Sequence, residues 1–131
     1  MSKVQELLDC PQCAYSEADR LYDCRSFRDS LMCPHCGYQE DWKPQYDESG
    51  KIREWKHEIR KGFGVMSYRL PGATSRPIHF LHTKEELLDA ERWLREQLNS
   101  GAITTQSAYL SRWNDETKRV EVLFGDFDIF P

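Results

Sequence analysis

Two cysteine pairs, Cys10-Pro11-Gln12-Cys13 and Cys33-Pro34-His35-Cys36-Gly37, constrain this chain more than any other feature. Two residues between thiolates let one tight turn aim both sulfurs at a single ion, at about 2.3 Å for zinc. Nineteen residues separate Cys13 from Cys33, a spacing that suits a paired zinc site. Proline after the first cysteine fixes φ, and glycine after the last permits φ > 0, so backbone N–H groups can point at the sulfurs. The expectation is one zinc ion held by Cys10, Cys13, Cys33 and Cys36. Four thiolates close the tetrahedron and leave no position for a substrate, so the zinc reads as structural, not catalytic.

CPQC at 10–13 and CPHCGY at 33–38 resemble the knuckles of the zinc ribbon superfamily. The resemblance covers only the N-terminal part, and it implies β-hairpin strands beside each knuckle. It also implies a role in transcription, translation, replication or protein docking. Ala14 departs from the pattern, standing where glycine is common. Cys33-Pro34-His35-Cys36 also looks like the active-site tetrapeptide of the thioredoxin-like bacterial disulfide oxidases, where a helix follows and lowers the thiol pKa. Gly37-Tyr38 is poor chemistry for a helix start, so thiol oxidoreductase ranks behind the zinc reading. Cys24, midway between the pairs, reads as a half-buried small residue. His35 reads as solvent-facing, with a three-cysteine, one-histidine site as the alternative.

The chain has 131 residues, with four Trp, six Tyr and six Phe to supply core material. Its net charge is −4, with 10 basic and 12 acidic residues up to Lys61, then 8 and 10. That balance argues against a bulk polyanion binder, whose affinity comes from many phosphate contacts. Four thiolates and a divalent ion would bring the folded chain to about −6. Five cysteines with no signal-peptide pattern point to a reducing compartment and a cytoplasmic protein, and no apolar run is long enough for a membrane span.

Residues 1–9 read as a short leader or one helical turn. Asp47-Glu48-Ser49-Gly50 is a turn signal, so KIREWKHEIRK (51–61) reads as a strand pairing back on 38–46. GFGVMSYRL and RPIHFLH read as two further strands. Thr83 and Glu86 form a capping box, Leu87, Ala90, Leu94 and Leu98 share a helical face, and Gly101 is the stop. SAYLSRW (107–113) and KRVEVLF (118–124) read as a hairpin. The expected fold is α+β: a four-cysteine zinc ribbon with β-hairpins over 1–61, then a ββαββ-like domain over 62–131, with the two free to pack as one unit. About 60 residues poor in Leu, Ile and Val depend on the metal for their core.

Two surfaces read as possible nucleic-acid contacts. One is Lys51, Arg53, Trp55, Lys56, Arg60 and Lys61; the other is Arg112, Trp113, Lys118 and Arg119. Basic residues beside an exposable aromatic suit single strands, where bases stack and phosphates pair. The tail Asp126, Phe127, Asp128, Ile129 and Phe130 reads as a partner-docking peptide, loosely similar to the acidic tail tip of bacterial single-stranded-DNA-binding proteins. His79 and His82 lie three apart on a strand and so face opposite ways. His57-Glu58 lacks the order that zinc deaminases need. The functional expectation is a non-catalytic protein docking on a protein partner in a transcription- or replication-type assembly. Nucleic-acid binding is the alternative.

Overall fold

The computed structural model describes residues 3–125. The chain is mostly β with one helix, in the α+β class. A five-stranded antiparallel sheet holds β1 (Lys3–Leu8), β2 (Ala18–Asp23), β3 (Asp29–Met32), β4 (Gln39–Tyr46) and β5 (Ile52–Arg60) in sequential order. Residues 3–8 are thus a strand, not a helical turn. One helical turn alone is unstable in water, whereas pairing from Lys3↔Asp23 to Leu8↔Ala18 satisfies the backbone.

Each cysteine pair occupies the connection of a hairpin, the first between β1 and β2, the second between β3 and β4. The strand reading of 51–61 holds. Pro44 faces Trp55 and Trp42 faces His57 across the β4–β5 hairpin. Its turn is closed by Asp47, whose Oδ1 accepts from the backbone N–H of Ser49 at 2.9 Å and of Lys51 at 3.0 Å.

A four-stranded antiparallel sheet in the order β7-β6-β8-β9 is built from β6 (Gly64–Tyr68), β7 (Ile78–Leu81), β8 (Ala108–Asn114) and β9 (Arg119–Phe124). Helix α1 (Lys84–Ser100) lies between β7 and β8 in the chain and packs on this sheet. Thr83 caps it by accepting from Glu86 N–H at 3.0 Å. Glu86 reaches one residue further back than a regular capping box, accepting from His82 N–H at 3.1 Å. Gly101 ends the helix in the left-handed region, φ 79°. Leu87, Ala90 and Leu94 bury the predicted face against Leu81, Ile103, Ala108 and Leu110.

The two sheets meet along a seam of close backbone approach. Gln12 clasps Gly62 twice: its amide donates to the Gly62 carbonyl and its oxygen accepts the Gly62 N–H, both at 2.9 Å. Next to that clasp, Trp113 N–H donates to the Phe63 carbonyl at 2.9 Å, continuing the β6–β8 pairing within the four-stranded sheet. A Cβ on Gly37 would strike the Gly64 carbonyl, and one on Gly62 would strike Cys36 and Tyr38 backbone. Among the described residues, no helix is long and apolar enough to cross a membrane. The expected docking peptide, Asp126 to Phe130, lies outside the described residues.

Candidate metal centre

Both knuckles fold the same way. In the first, Cys10 N–H donates to the Tyr15 carbonyl at 2.8 Å and Ala14 N–H returns to the Cys10 carbonyl at 2.9 Å. In the second, Cys33 N–H donates to Tyr38 at 2.9 Å and Gly37 N–H returns to Cys33 at 3.0 Å. Ala14 takes φ 64° where Gly37 takes φ 90°, so alanine adopts the left-handed turn despite its Cβ. Each first cysteine also receives an N–H from two residues on: Gln12 to Cys10 Sγ and His35 to Cys33 Sγ, both 3.4 Å. These donors polarise the sulfurs as a metal site requires.

The four sulfurs lie within 4.8 Å of one another, and Cys10–Cys36 and Cys13–Cys33 are each 3.6 Å apart. A tetrahedron with bonds of about 2.3 Å has edges of about 3.8 Å, so the cluster has the dimensions of a four-thiolate zinc site. Cys10, Cys33 and Cys36 are buried and Cys13 is half-buried. Around them pack Ala18, Leu31, Tyr38 and Trp113, with Tyr15, Trp42 and Val120 at the margin. Among the described residues, no other group of three or more His, Cys, Asp or Glu side chains comes close enough to share an ion.

Without a metal the sulfurs share protons unequally. Donation from Cys10, then from Cys33 and Cys36, holds the Cys13 thiol far below its ordinary range. Cys10 and Cys13 push the Cys33 thiol up, and contacts with Cys10, Cys13 and Cys33 push Cys36 up. A metal must displace the protons that Cys33 and Cys36 retain. Metal uptake therefore releases protons, and affinity falls as pH falls. Chelator-competition titrations between pH 8 and pH 6 should show a loss of at least about tenfold per pH unit.

His35 is not simply solvent-facing. It is half-buried, stacks on Tyr15 at 5.0 Å, and brings Nδ1 to 3.8 Å from Cys13 Sγ. Cys24 is exposed in the β2–β3 turn rather than half-buried. His79 stacks on Tyr68 at 5.7 Å, which gives it a packing role.

The two basic surfaces are changed by the fold. Trp113 is 7% exposed, inside the cysteine core, with its indole N–H on Asp115 at 3.1 Å, so it cannot stack on a base. Strand alternation puts Trp55 and His57 on one face of the sheet and Lys56 and Arg60 on the other. Lys56 and Arg60 both pair with Glu58, at 3.0 and 3.5 Å. Lys61 and Lys118 both pair with Asp115, at 3.0 and 3.2 Å, and Arg112 pairs with Glu121 at 2.7 Å. The Lys61 ammonium, then the Trp113 indole and Lys118, hold the Asp115 carboxylate well below the usual range. Lys51, Arg53 and Arg119 have no ion pair among the described residues.

The cross-strand register reveals a surface the sequence did not suggest. Val4, Tyr22, Asp29, Trp42 and His57 form one row across the five strands, and Glu6, Arg20, Leu31, Glu40 and Ile59 form the next. Between them runs a groove of about 490 Å³ lined by Leu8, Arg20, Tyr22, Asp29, Leu31, Trp42 and Trp55. Arg20 bridges Asp29 and Glu6 at 2.7 and 2.6 Å. The Trp42–Trp55 diagonal follows from the hairpin register and was within reach of the sequence. The contribution of β2 and β3 was not, because their short mixed runs carry no clean alternation.

Comparison with protein families, with curated proteins and with solved structures finds no match to this chain.

Proposed function

We propose that the chain is a non-catalytic, zinc-ribbon-type docking module. One structural zinc ion on Cys10, Cys13, Cys33 and Cys36 holds the knuckles, and the aromatic face of the five-stranded sheet receives a protein partner. The resemblance of the knuckles to zinc ribbons supports placement in a transcription- or replication-type assembly. Four thiolates fill the coordination sphere, which supports a structural ion without catalytic work. CPHC lies in the β3–β4 turn and is followed in the chain by a strand, so it does not open a helix as the redox tetrapeptide it resembles does.

One observation carries the docking reading: an open groove with two tryptophans, a tyrosine and two leucines on an otherwise solvated sheet face. Trp55 is 50% exposed at its rim. The same face carries Glu6, Asp29 and Glu40 against Arg20 and Arg53, a surplus of one acid, and Arg20 is already bridged to Asp29 and Glu6. The fitting occupant is an extended protein segment with apolar side chains and a lysine or arginine.

Affinity capture with and without nuclease tests this. The expected result is a protein partner retained after nuclease and weakened at least about tenfold by Trp55→Ala, an anchor-sized loss. Capture that disappears with nuclease, or a gel shift with a steep salt slope lost on reversing Lys51, Arg53 and Arg119, would favour nucleic acid instead.

A further inference from the structure

Strand β5 ends the five-stranded sheet, so one of its sides has no partner among the described strands. It is nine residues long and exposed at every position but Glu58. Trp55 and Ile59 stand on the same face, Ile59 60% exposed. A long edge of this kind is a template for another strand. Many edge strands are protected by charge, so the arrangement of the charges decides whether pairing is blocked or directed.

Here the charges are self-complementary in one antiparallel register. Placing His57 opposite His57 of a second copy sets Lys56 opposite Glu58, Trp55 opposite Ile59 and Glu54 opposite Arg60. The two-fold axis repeats each pair, as an isologous contact requires. Facing residues are both odd or both even, so Trp55 and Ile59 stay on the groove face, while Glu54, Lys56, Glu58 and Arg60 stay on the other. Shifting the centre to Lys56 sets Lys56 against Lys56 and Glu54 against Glu58. Shifting it to Glu58 sets Glu58 against itself and Lys56 against Arg60. Like charges directly opposite destabilise a strand pair, so neighbouring same-face registers are disfavoured. The one like-charge pair in the favoured register sets Arg53, the second residue of the strand, opposite Lys61, one residue past its end, and Lys61 is already held by Asp115 at 3.0 Å. Glu54 has no ion pair within its own chain among the described residues, and this register supplies one.

We infer that the chain binds a second copy of itself by antiparallel pairing of β5 about a two-fold axis at His57, joining two five-stranded sheets into one. The inference goes beyond the docking reading and does not depend on it. In the dimer the two aromatic grooves lie on one continuous face.

Sedimentation equilibrium on the metal-loaded full chain tests it by charge rescue. Wild type should self-associate. Glu54→Arg and Arg60→Glu should each weaken the dimer at least about tenfold, because two symmetric pairs become repulsive at once. The double variant should restore association to within about threefold of wild type. Residues 54 and 60 are about 20 Å apart along one strand, so rescue cannot come from a contact within a chain. Retained metal content and an unchanged far-UV spectrum show that each exposed-site variant is folded. A wild type that stays monomeric into the millimolar range overturns the inference. So does a dimer that the single reversals leave intact or the double reversal fails to restore.

Discussion

Cys36→Ser is expected to abolish stable metal binding and to unfold the five-stranded sheet while helix α1 persists. Three of the four ligand cysteines are among the seven buried residues of the N-terminal core, so the core and the metal site are one object. The rest of that core is Ala18, Leu31, Tyr38 and Trp113, too little apolar surface to order about 60 residues unaided. A structural zinc site contributes on the order of 10 kcal/mol of apparent folding free energy, more than a small domain's whole stability. Serine offers no thiolate, and chelation of the wild type should give the same state. Helix α1 has its own cap at Thr83, its own stop at Gly101 and a separate apolar core. Far-UV dichroism should keep its helical part while near-UV dichroism collapses. Because Trp113 sits in the cysteine core from β8, its fluorescence should shift as the knuckles open. A near-UV spectrum and protease resistance unchanged by chelation would overturn this account.

Gly64→Ala is expected to destabilise the protein by at least about 3 kcal/mol, which lowers the melting temperature by roughly 10 °C in a chain of this size. No unusual φ is involved at this position. The cost arises from approach: a Cβ on Gly64 would collide with the Ser111 carbonyl of β8, a backbone atom that no rotamer change can move. Gly64 in turn presses its own carbonyl against Gly37 in the second knuckle, so the collision sits where the two sheets meet. Ser111 is fully buried there, with its hydroxyl accepting Val65 N–H at 3.1 Å and donating to the His35 carbonyl at 3.4 Å. Displacing β8 therefore disturbs the knuckle, and the metal-loaded variant should show reduced metal affinity as well as a lower melting temperature. A calorimetric midpoint within a few degrees of wild type would show that the seam can relax.

The features legible in the sequence were those written in neighbouring residues. The cysteine pairs, the Asp47–Gly50 turn, the β4–β5 pairing and the Thr83-to-Gly101 helix each depend on contacts a few positions apart. β1 was misread because a six-residue apolar-polar run has no local preference strong enough to outweigh the partner that β2 provides. Trp113 was misplaced for a similar reason. Its neighbours Arg112 and Lys118 suggest a basic surface, yet β8 is one of the two inner strands of its sheet and buries residues on both faces. The charge runs needed the fold in another way: sequence counts charges, and only the fold shows that Lys56, Arg60, Lys61, Arg112 and Lys118 pair with Glu58, Asp115 and Glu121 while Lys51, Arg53 and Arg119 do not.

By itself, the sequence determined the four-cysteine candidate metal site, since thiol type and spacing are set by covalent geometry within each knuckle. It also carries the charge order of β5, a one-dimensional pattern that can be read without coordinates. Tertiary structure decided which side of the sheet each aromatic takes, where a groove opens, and how Gly37, Gly62 and Gly64 bring two sheets into backbone contact. Those outcomes depend on residues far apart in the chain meeting through hydrogen-bond register and close packing, and neither is encoded in any local stretch.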